Sequence, residues 1–469
     1  MGVDLKHLGA SVLRESGLRS VWRTGPDAWL IILSRSCRMF AYGASSLILA
    51  LFFAELQFSD YQIGLFMSLT LAGDVILGLF LTLIADTFGR RRTLFAGSLL
   101  MIMSGATFAL CENYWLLLGA AVVGVISATG GDFGPFRAIE ESTVSELTTP
   151  ETRADVLVWY VMTASLGSAV GTAFSGRIIE ELKARDGWTL LDAYHGCFWL
   201  YAVMGAANMV FNVMMSDKCE LKKVEVPPAE EQEPLLENGQ KPKEKKSWVA
   251  QISRETLSIV SVLWFLLMVD SLADGMVSMS LTTYYMDKKF HVPKSTLGDM
   301  LSASYILSAC STIFSGPLAR YIGLVNTMVF THIPSSTAVL LFPLPKTVSL
   351  TFALLLLRVG LNNMDQAPRA ALIAAVVKPE ERTAVMGITG ILRTLASMTG
   401  PSITGILAGS DRFWVAYVAA GALRLAYDLG LFAMFINIKL HKHEPSRADA
   451  PVGDERHSTD EEEPLVRAG

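Results

Sequence analysis

Repeated apolar runs of about 20 residues constrain this chain more than any other feature, because a helix of that length matches the hydrocarbon core of a bilayer. They occupy 28–54, 61–84, 93–110, 115–138, 155–176 and 195–215, and then, after a polar stretch, 257–285, 297–319, 325–343, 349–374, 384–408 and 413–438. Hydrophobic residues make up 51% and charged residues 18% of the 469, which is more apolar surface than a soluble core hides. Within lipid the backbone must satisfy its own hydrogen bonds, so runs of this kind are read as helices. The expected fold is an all-α membrane protein of 12 transmembrane helices in two six-helix bundles, 28–215 and 255–438.

The flanking segments read as polar attachments. Residues 1–27 carry Lys6, Arg14, Arg19 and Arg23 without the apolar stretch of a signal peptide, so the first helix itself is expected to direct insertion. Residues 216–254 hold Pro227, Pro228, the acidic run Glu230 to Glu233 and the basic run Lys241 to Lys246, the composition of a disordered linker. The tail 439–469 is similar. Arg90, Arg91 and Arg92 after the second helix, the linker lysines, and Lys378 and Arg382 after the tenth fall on one side, which the positive-inside rule makes cytoplasmic. An even helix count then puts both termini in the cytoplasm.

The two halves repeat. Pro150-Glu151-Thr152-Arg153 precedes the fifth helix, with Gly171 and Gly176 following; Pro379-Glu380-Glu381-Arg382 precedes the eleventh, with Gly400 and Gly405 at the same spacing from the arginine. Matching order inside matching helices predicts duplicated, pseudo-symmetric six-helix units.

Several function classes are not supported. The chain has no Gly-x-x-x-x-Gly-Lys-Ser/Thr loop for ATP, no nucleophile and base arrangement of an enzyme, and no basic face for nucleic acid; no cofactor is implied. Five scattered cysteines suggest neither a disulfide framework nor a metal site, although Cys111 and Cys197 fall near helix ends on one side, where a bond is conceivable. His441, His443 and Glu444 sit in the polar tail and read as solvated groups rather than metal ligands.

The loop after the second helix, Ala85-Asp86-Thr87-Phe88-Gly89-Arg90-Arg91-Arg92, resembles the signature loop of the major facilitator superfamily, roughly Gly-x-Leu-Ala-Asp-Arg-x-Gly-Arg-Arg. Asp86, Gly89, Arg90 and Arg91 match, whereas Thr82 and Thr87 replace the leading glycine and first arginine. A degenerate copy, Gly316-Pro317-Leu318-Ala319-Arg320-Tyr321-Ile322-Gly323, follows the eighth helix, with Arg320 in place of the aspartate. Gly130 to Ser142 is similar to a pattern of drug:proton antiporter-like, uncharacterised fungal members of that family. The resemblance implies alternating-access transport of a small-molecule substrate by a monomer in the lipid bilayer. It also implies a conformational latch in which Asp86 meets the start of the eleventh helix, with Gly89, Arg90, Arg91, Arg153 and Arg382 around it.

An ionised side chain near the bilayer centre costs about 2.5 to 3.5 kcal/mol, so such residues are expected to face a bundle interior or an aqueous path. Here they are Arg35 and Arg38 in the first helix, Asp74 in the second, Asp132 in the fourth, Asp270 and Asp274 in the seventh, Arg358 and Asp365 in the tenth, Arg393 in the eleventh, and Arg424 and Asp428 in the twelfth. In the family that this chain resembles, helices one, four, seven and ten line the cavity. Asp270 and Asp274 share a helix face, and two neighbouring carboxylates in a low-dielectric site disfavour simultaneous ionisation. They are therefore the expected proton carriers, with Asp365 and Asp132 as further candidates and Arg358 as counter-charge and anion anchor. Arg38 and Asp365 are a possible second pair, and Arg424 with Asp428 a structural one. The alternatives are a uniporter or anion exchanger binding its substrate through Arg35, Arg38 and Arg358, and a non-transporting scaffold. Glu231-Gln232-Glu233-Pro234-Leu235-Leu236 fits an acidic dileucine sorting signal, which suggests a vacuolar membrane, with the plasma membrane as the alternative.

Overall fold

A computed structural model of the chain describes residues 18–124, 126, 135–220, 253–377 and 381–435. Among the described residues the regular elements are all helical. Pro26–Glu55, Asp60–Phe88, Arg90–Leu110, Pro150–Lys183 and Leu190–Met214 are the first, second, third, fifth and sixth spans. Tyr114–Gly124 and Pro135–Leu147 are the described helical segments of the fourth. In the second half, Lys294–Ile322, Leu324–Leu341, Arg382–Gly409 and Phe413–Phe435 are the eighth, ninth, eleventh and twelfth spans. The seventh is split into Arg254–Met276 and Met279–Phe290, and the tenth into Val348–Asn362 and Gln366–Val376 about a 3-10 turn at Asn363–Asp365.

Nine of these helices are long and apolar enough to cross a membrane among the described residues. The fourth span is described only in part, the tenth is divided by its 3-10 turn, and Arg393, Thr394, Ser397, Thr399 and Ser402 interrupt the apolar sequence of the eleventh. Helix ends overrun the apolar runs. The fifth run, expected at 155–176, is the middle of a longer helix whose start is set by Pro150 and by a capping box between Thr149 and Thr152. The sixth starts on a similar box between Thr189 and Asp192.

Two features of the attachments depart from expectation. A short helix, Leu18–Thr24, lies inside the segment read as a plain polar arm; its Val21 is buried and Ser20 Oγ donates to Asp155 at 2.5 Å. At the other end of the first bundle, Asp27 accepts from the backbone N–H of Ser216 at 2.8 Å and from its hydroxyl at 2.5 Å, so the bundle closes on itself where the linker begins. The expected linker disorder and sorting signal at 221–252, and the tail from 436, lie outside the described residues. Cys111 and Cys197 are both free thiols.

The repeated glycines do matching work in the two halves. A Cβ on Gly171 would stand 2.0 Å from the carbonyl oxygen of Phe40 in the first span, and one on Gly400 would stand 2.4 Å from the backbone N of Met276 in the seventh. Reciprocally, Gly43 faces the backbone of Ser168 and Gly275 that of Ser397. Spans one and five therefore cross backbone to backbone, and so do spans seven and eleven. The second glycine of each pair works between bundles: Gly176 meets Gly298 of the eighth span, and Gly405 meets Gly64 of the second. Small residues permit this close approach, which supplies van der Waals contact where lipid removes the hydrophobic drive between helices.

The two inter-bundle crossings lie toward one end, the side reached by the loops after odd-numbered spans; this is called the far end below. The polar contacts that join the bundles gather there. Asp60 accepts from Tyr284 Oη at 2.5 Å and pairs with Lys288 at 3.0 Å, Glu180 accepts from the backbone N–H of Lys294 at 2.7 Å, and Arg177 pairs with Asp299 at 2.8 Å. Deeper in, the Ser68 and Ser402 hydroxyls are 2.7 Å apart.

Gly171→Ala is expected to destabilise the protein by about 1 to 3 kcal/mol through overpacking. Gly390→Ala, where a Cβ meets nothing within 4 Å, is expected to leave the melting temperature in detergent unchanged or raised. Equal effects of the two substitutions on melting would contradict this packing.

Candidate functional site: two buried charge clusters

The seventh span breaks after Met276, and the break leaves carbonyls without helical partners in the middle of a bundle. Thr404 Oγ1 of the eleventh span donates to the Met276 carbonyl at 2.7 Å, and Arg358 of the tenth donates through Nη2 to the Val277 carbonyl. Arg358 Nη1 also donates to Thr282 Oγ1 at 2.9 Å. An unsatisfied carbonyl at this depth costs several kcal/mol, so a buried arginine here has a structural task. Arg358, expected opposite Asp270 and Asp274, splints the broken span, and among the described residues it forms no ion pair with either aspartate. A cut backbone offers it nearer acceptors. The tenth span is splinted in the same way: Ser315 Oγ donates to the Met364 carbonyl at 2.5 Å, and Ser335 Oγ to that of Arg358 at 2.9 Å.

Around these breaks the second bundle encloses a network of charges. Asp270 is fully buried, with Arg369 Nη2 at 3.8 Å from one carboxylate oxygen and His332 Nε2 at 3.7 Å from the other. Among the described residues neither oxygen accepts a hydrogen bond. One turn on, Asp274 has a side chain 35% exposed and pairs with Arg424 at 3.1 Å, whereas Arg424 is fully buried. Asp365 is held by Arg369, one helical turn away.

His332 joins the remaining groups. Its Nε2 lies 2.7 Å from Arg424 Nη2 and its Nδ1 lies 2.7 Å from Asp428 Oδ1. A guanidinium only donates, so Nε2 is the acceptor and Nδ1 holds the proton that it donates to Asp428. Ser336 Oγ donates to the other Asp428 oxygen at 2.8 Å. Arg424 and Asp428 are thus linked through the imidazole rather than to each other as the sequence suggested.

The first bundle holds a smaller cluster. Glu140 is fully buried; its Oε2 accepts from Arg38 Nη2 at 2.5 Å and from Tyr160 Oη at 2.7 Å. Arg35 Nη1 lies 3.1 Å from the same tyrosine oxygen. Arg38 accordingly pairs within its own bundle and not with Asp365, which Arg369 occupies in the other.

The latch residues divide. The carboxylate of Glu220 accepts from the backbone N–H groups of Arg90 at 2.7 Å and Arg91 at 3.1 Å, at the start of the third span, where Gly89 has a φ of 104°. That end of a helix favours negative charge. Arg90 pairs with Glu146 at 2.9 Å, Arg91 with Asp217, and Arg153 Nη2 donates to the Ser145 carbonyl at 2.8 Å. These contacts are internal to the first bundle. The side chains of Asp86 and Arg382, and all of Asp132, lie outside what the structure describes.

Four residues of these clusters were missed in the sequence. Arg369 follows Asp365 by one helical turn and was visible as an i, i+4 pair, and His332 was a lone polar ring within an apolar run. Glu140 sat past the expected end of the fourth span at 138, which continues as helix to Leu147. Tyr160 had no local signal.

Comparison with known proteins gives a consistent picture. The sequence profile of the Major Facilitator Superfamily matches residues 31–269 and 263–465. An uncharacterized membrane protein of Saccharomyces cerevisiae is 35% identical over 427 residues, covering 88% of this chain and 94% of that one. Among solved structures, the peptide transporter POT in complex with sulfate has a TM-score of 0.66 at 13% identity, covering 87% of this chain and 94% of that one. The nucleoside transporter NupG has a TM-score of 0.63 at 12% identity, covering 87% and 99%.

Removing one partner of a buried ion pair costs about 3 to 5 kcal/mol, so Glu140→Gln, which leaves Arg38 without its counter-charge, is expected to lower the melting temperature sharply. The double variant Arg38→Met with Glu140→Leu is expected to recover most of that loss. A double variant as unstable as the single one would contradict the pairing.

Proposed function

The chain belongs to the Major Facilitator Superfamily of transporters, and we propose that it moves a small organic solute by alternating access, with protons as the coupling ion. The observation that supports coupling is the state of Asp270. It is fully buried, its two oxygens accept no hydrogen bond, and it lies between Arg369 and His332 beyond hydrogen-bonding distance of either. A carboxylate held this way is costly to keep charged unless a cation closes on it or a proton occupies it. Movement of the surrounding spans changes that distance, which is how an internal carboxylate takes up a proton in one state and releases it in another.

Asp274 supplies the route to this interior. Its side chain is 35% exposed while Arg424 beside it is fully buried, so it is the place where water meets the network. The inter-bundle contacts at Asp60, Glu180 and Arg177 join the bundles at the far end, which supports a carrier that opens toward the opposite side. The basic residues Arg90, Arg91 and Arg92 make that opposite side cytoplasmic, with both termini on it. The solved neighbours whose names state a cargo carry peptides, nucleosides and organic anions, which supports a small organic solute without fixing its charge. An anion exchanger built on arginines is disfavoured because Arg358 is engaged with the Val277 carbonyl and Arg38 with Glu140. The functional unit is one chain in a vacuolar or plasma membrane, with Asp86 closing against the eleventh span in the opposite state.

The solute is to be found by comparing what cells lacking and cells overproducing the protein release and take up. Transport of that solute is then measured in vesicles at controlled internal and external pH. Asp270→Asn and Asp274→Asn are expected to abolish accumulation driven by a pH gradient while keeping exchange of the solute at equal pH. Unchanged pH dependence in both variants would contradict proton coupling through this pair.

A further inference from the structure

His332 is a buried imidazole whose two ring nitrogens face opposite kinds of partner. Nδ1 donates to Asp428, itself fixed by Ser336. Nε2 accepts from Arg424, whose other terminal nitrogen is 3.1 Å from Asp274. The same Nε2 lies 3.7 Å from Asp270, an oxygen with no hydrogen-bond donor of its own. The ring therefore sits at the junction between an arginine that needs its lone pair and a carboxylate that needs a donor, and one proton decides which of the two it serves.

Resting on the proton-coupled reading above, we propose that His332 is the switch of the coupling step: a proton taken from water binds Nε2, releases Arg424 toward Asp274 and joins the imidazolium to Asp270. The balance is simple. One N–H bond forms at Nε2, no covalent bond within the protein breaks, and the Nδ1–H bond to Asp428 is kept throughout. Two donors cannot share the line between His332 and Arg424, so protonation ejects the guanidinium from it. Arg424 keeps Asn362 and Asp274 as acceptors, and Asp274 is more exposed than Asp270. A proton at His332 thus becomes a displacement at the edge of the water-accessible space. Deprotonation reverses it.

The groups facing the imidazole define how far this can go. From the seventh span come Asp270 and, through Arg424, Asp274; from the tenth come Arg369 and Asp365, paired with each other. From the twelfth come Asp428, Arg424 and the ring of Tyr427, which meets the imidazole edge-on with centroids 5.6 Å apart. Arg393 of the eleventh span adds positive charge near Asp270 and donates to Ser271 at 3.0 Å. Arg369 stands 3.8 Å from the other Asp270 oxygen, so the switch closes when the ring moves in from its present 3.7 Å to hydrogen-bonding distance.

The test uses the full-length protein in liposomes, with spin labels at Thr149 and Tyr321, exposed positions on different bundles at the end away from the inter-bundle contacts. Distance distributions are recorded from pH 5 to pH 8. The wild-type background is expected to shift between two distances across that range. His332→Gln, which cannot hold a second proton, is expected to show one distribution throughout, and Asp270→Asn to keep the transition with a displaced midpoint. A transition at the wild-type midpoint in His332→Gln overturns the His332 assignment alone. If His332→Gln fails to insert, an unmoved midpoint in Asp270→Asn overturns the assignment instead. No pH response in the wild-type background overturns this proposal and the proton-coupled reading together.

Discussion

A charge placed inside a lipid-embedded bundle has to find its partner within the protein, and much of this structure follows from meeting that demand. The backbone breaks in the seventh and tenth spans add to it, since each frees carbonyl groups far from bulk water. The protein answers with side chains from neighbouring spans: Thr404 and Arg358 at the first break, Ser315 and Ser335 at the second. Once Arg358 is used in that way, the acidic groups of the seventh span must look elsewhere. Arg369, Arg424 and His332 supply what they find.

The two bundles meet the same demand differently, although their helices cross alike. Gly171 and Gly400 bring equivalent spans into backbone contact, and Gly176 and Gly405 do the same between bundles. The frame is symmetric. In the first bundle Glu140 gathers Arg38 and Tyr160 on one oxygen at hydrogen-bonding distances. In the second, Asp270 has cations near it but no hydrogen bond, and Arg424 is divided among acceptors on three spans. Such an interior has more than one way to satisfy itself, and that is the property a coupling site needs. On the proton-coupled reading proposed above, the chemistry belongs to the second half of the chain.

The fold was legible in the sequence because its determinants are local or periodic. Apolar runs gave the spans, and the repeated Pro, Arg and glycine pattern gave the duplication, whose physical meaning is the matching close approach of Phe40 to Gly171 and of Met276 to Gly400. Hydropathy reported only the apolar middles, so the capped ends at Thr149 and Thr189 and the short helix at Leu18–Thr24 lay beyond its reach. The charged residues of the site were legible as a set, and their pairing was not. Arg358 with Asp270, and Arg38 with Asp365, were reasonable by sign and depth. What decided against them was backbone geometry at a break that composition does not mark, and a glutamate, Glu140, on a helix longer than its apolar run. His332 escaped because a single histidine in an apolar helix looks like any buried polar residue until the tertiary fold sets Asp428 on one side of it and Arg424 on the other.

The central claim is that the two bundles rock about this charged interior, so that the end now held together by Asp60, Glu180 and Arg177 opens as the other closes. Its most direct test is a pair of distances followed together in liposomes: labels at Trp188 and Leu344 on the far end, and at Thr149 and Tyr321 on the opposite end, positions that are exposed and belong to different bundles. The account predicts two populations in which a short distance at one end accompanies a long one at the other, with their proportions shifting as solute or pH is changed. Distances that stay fixed at both ends, or that lengthen together, would contradict it.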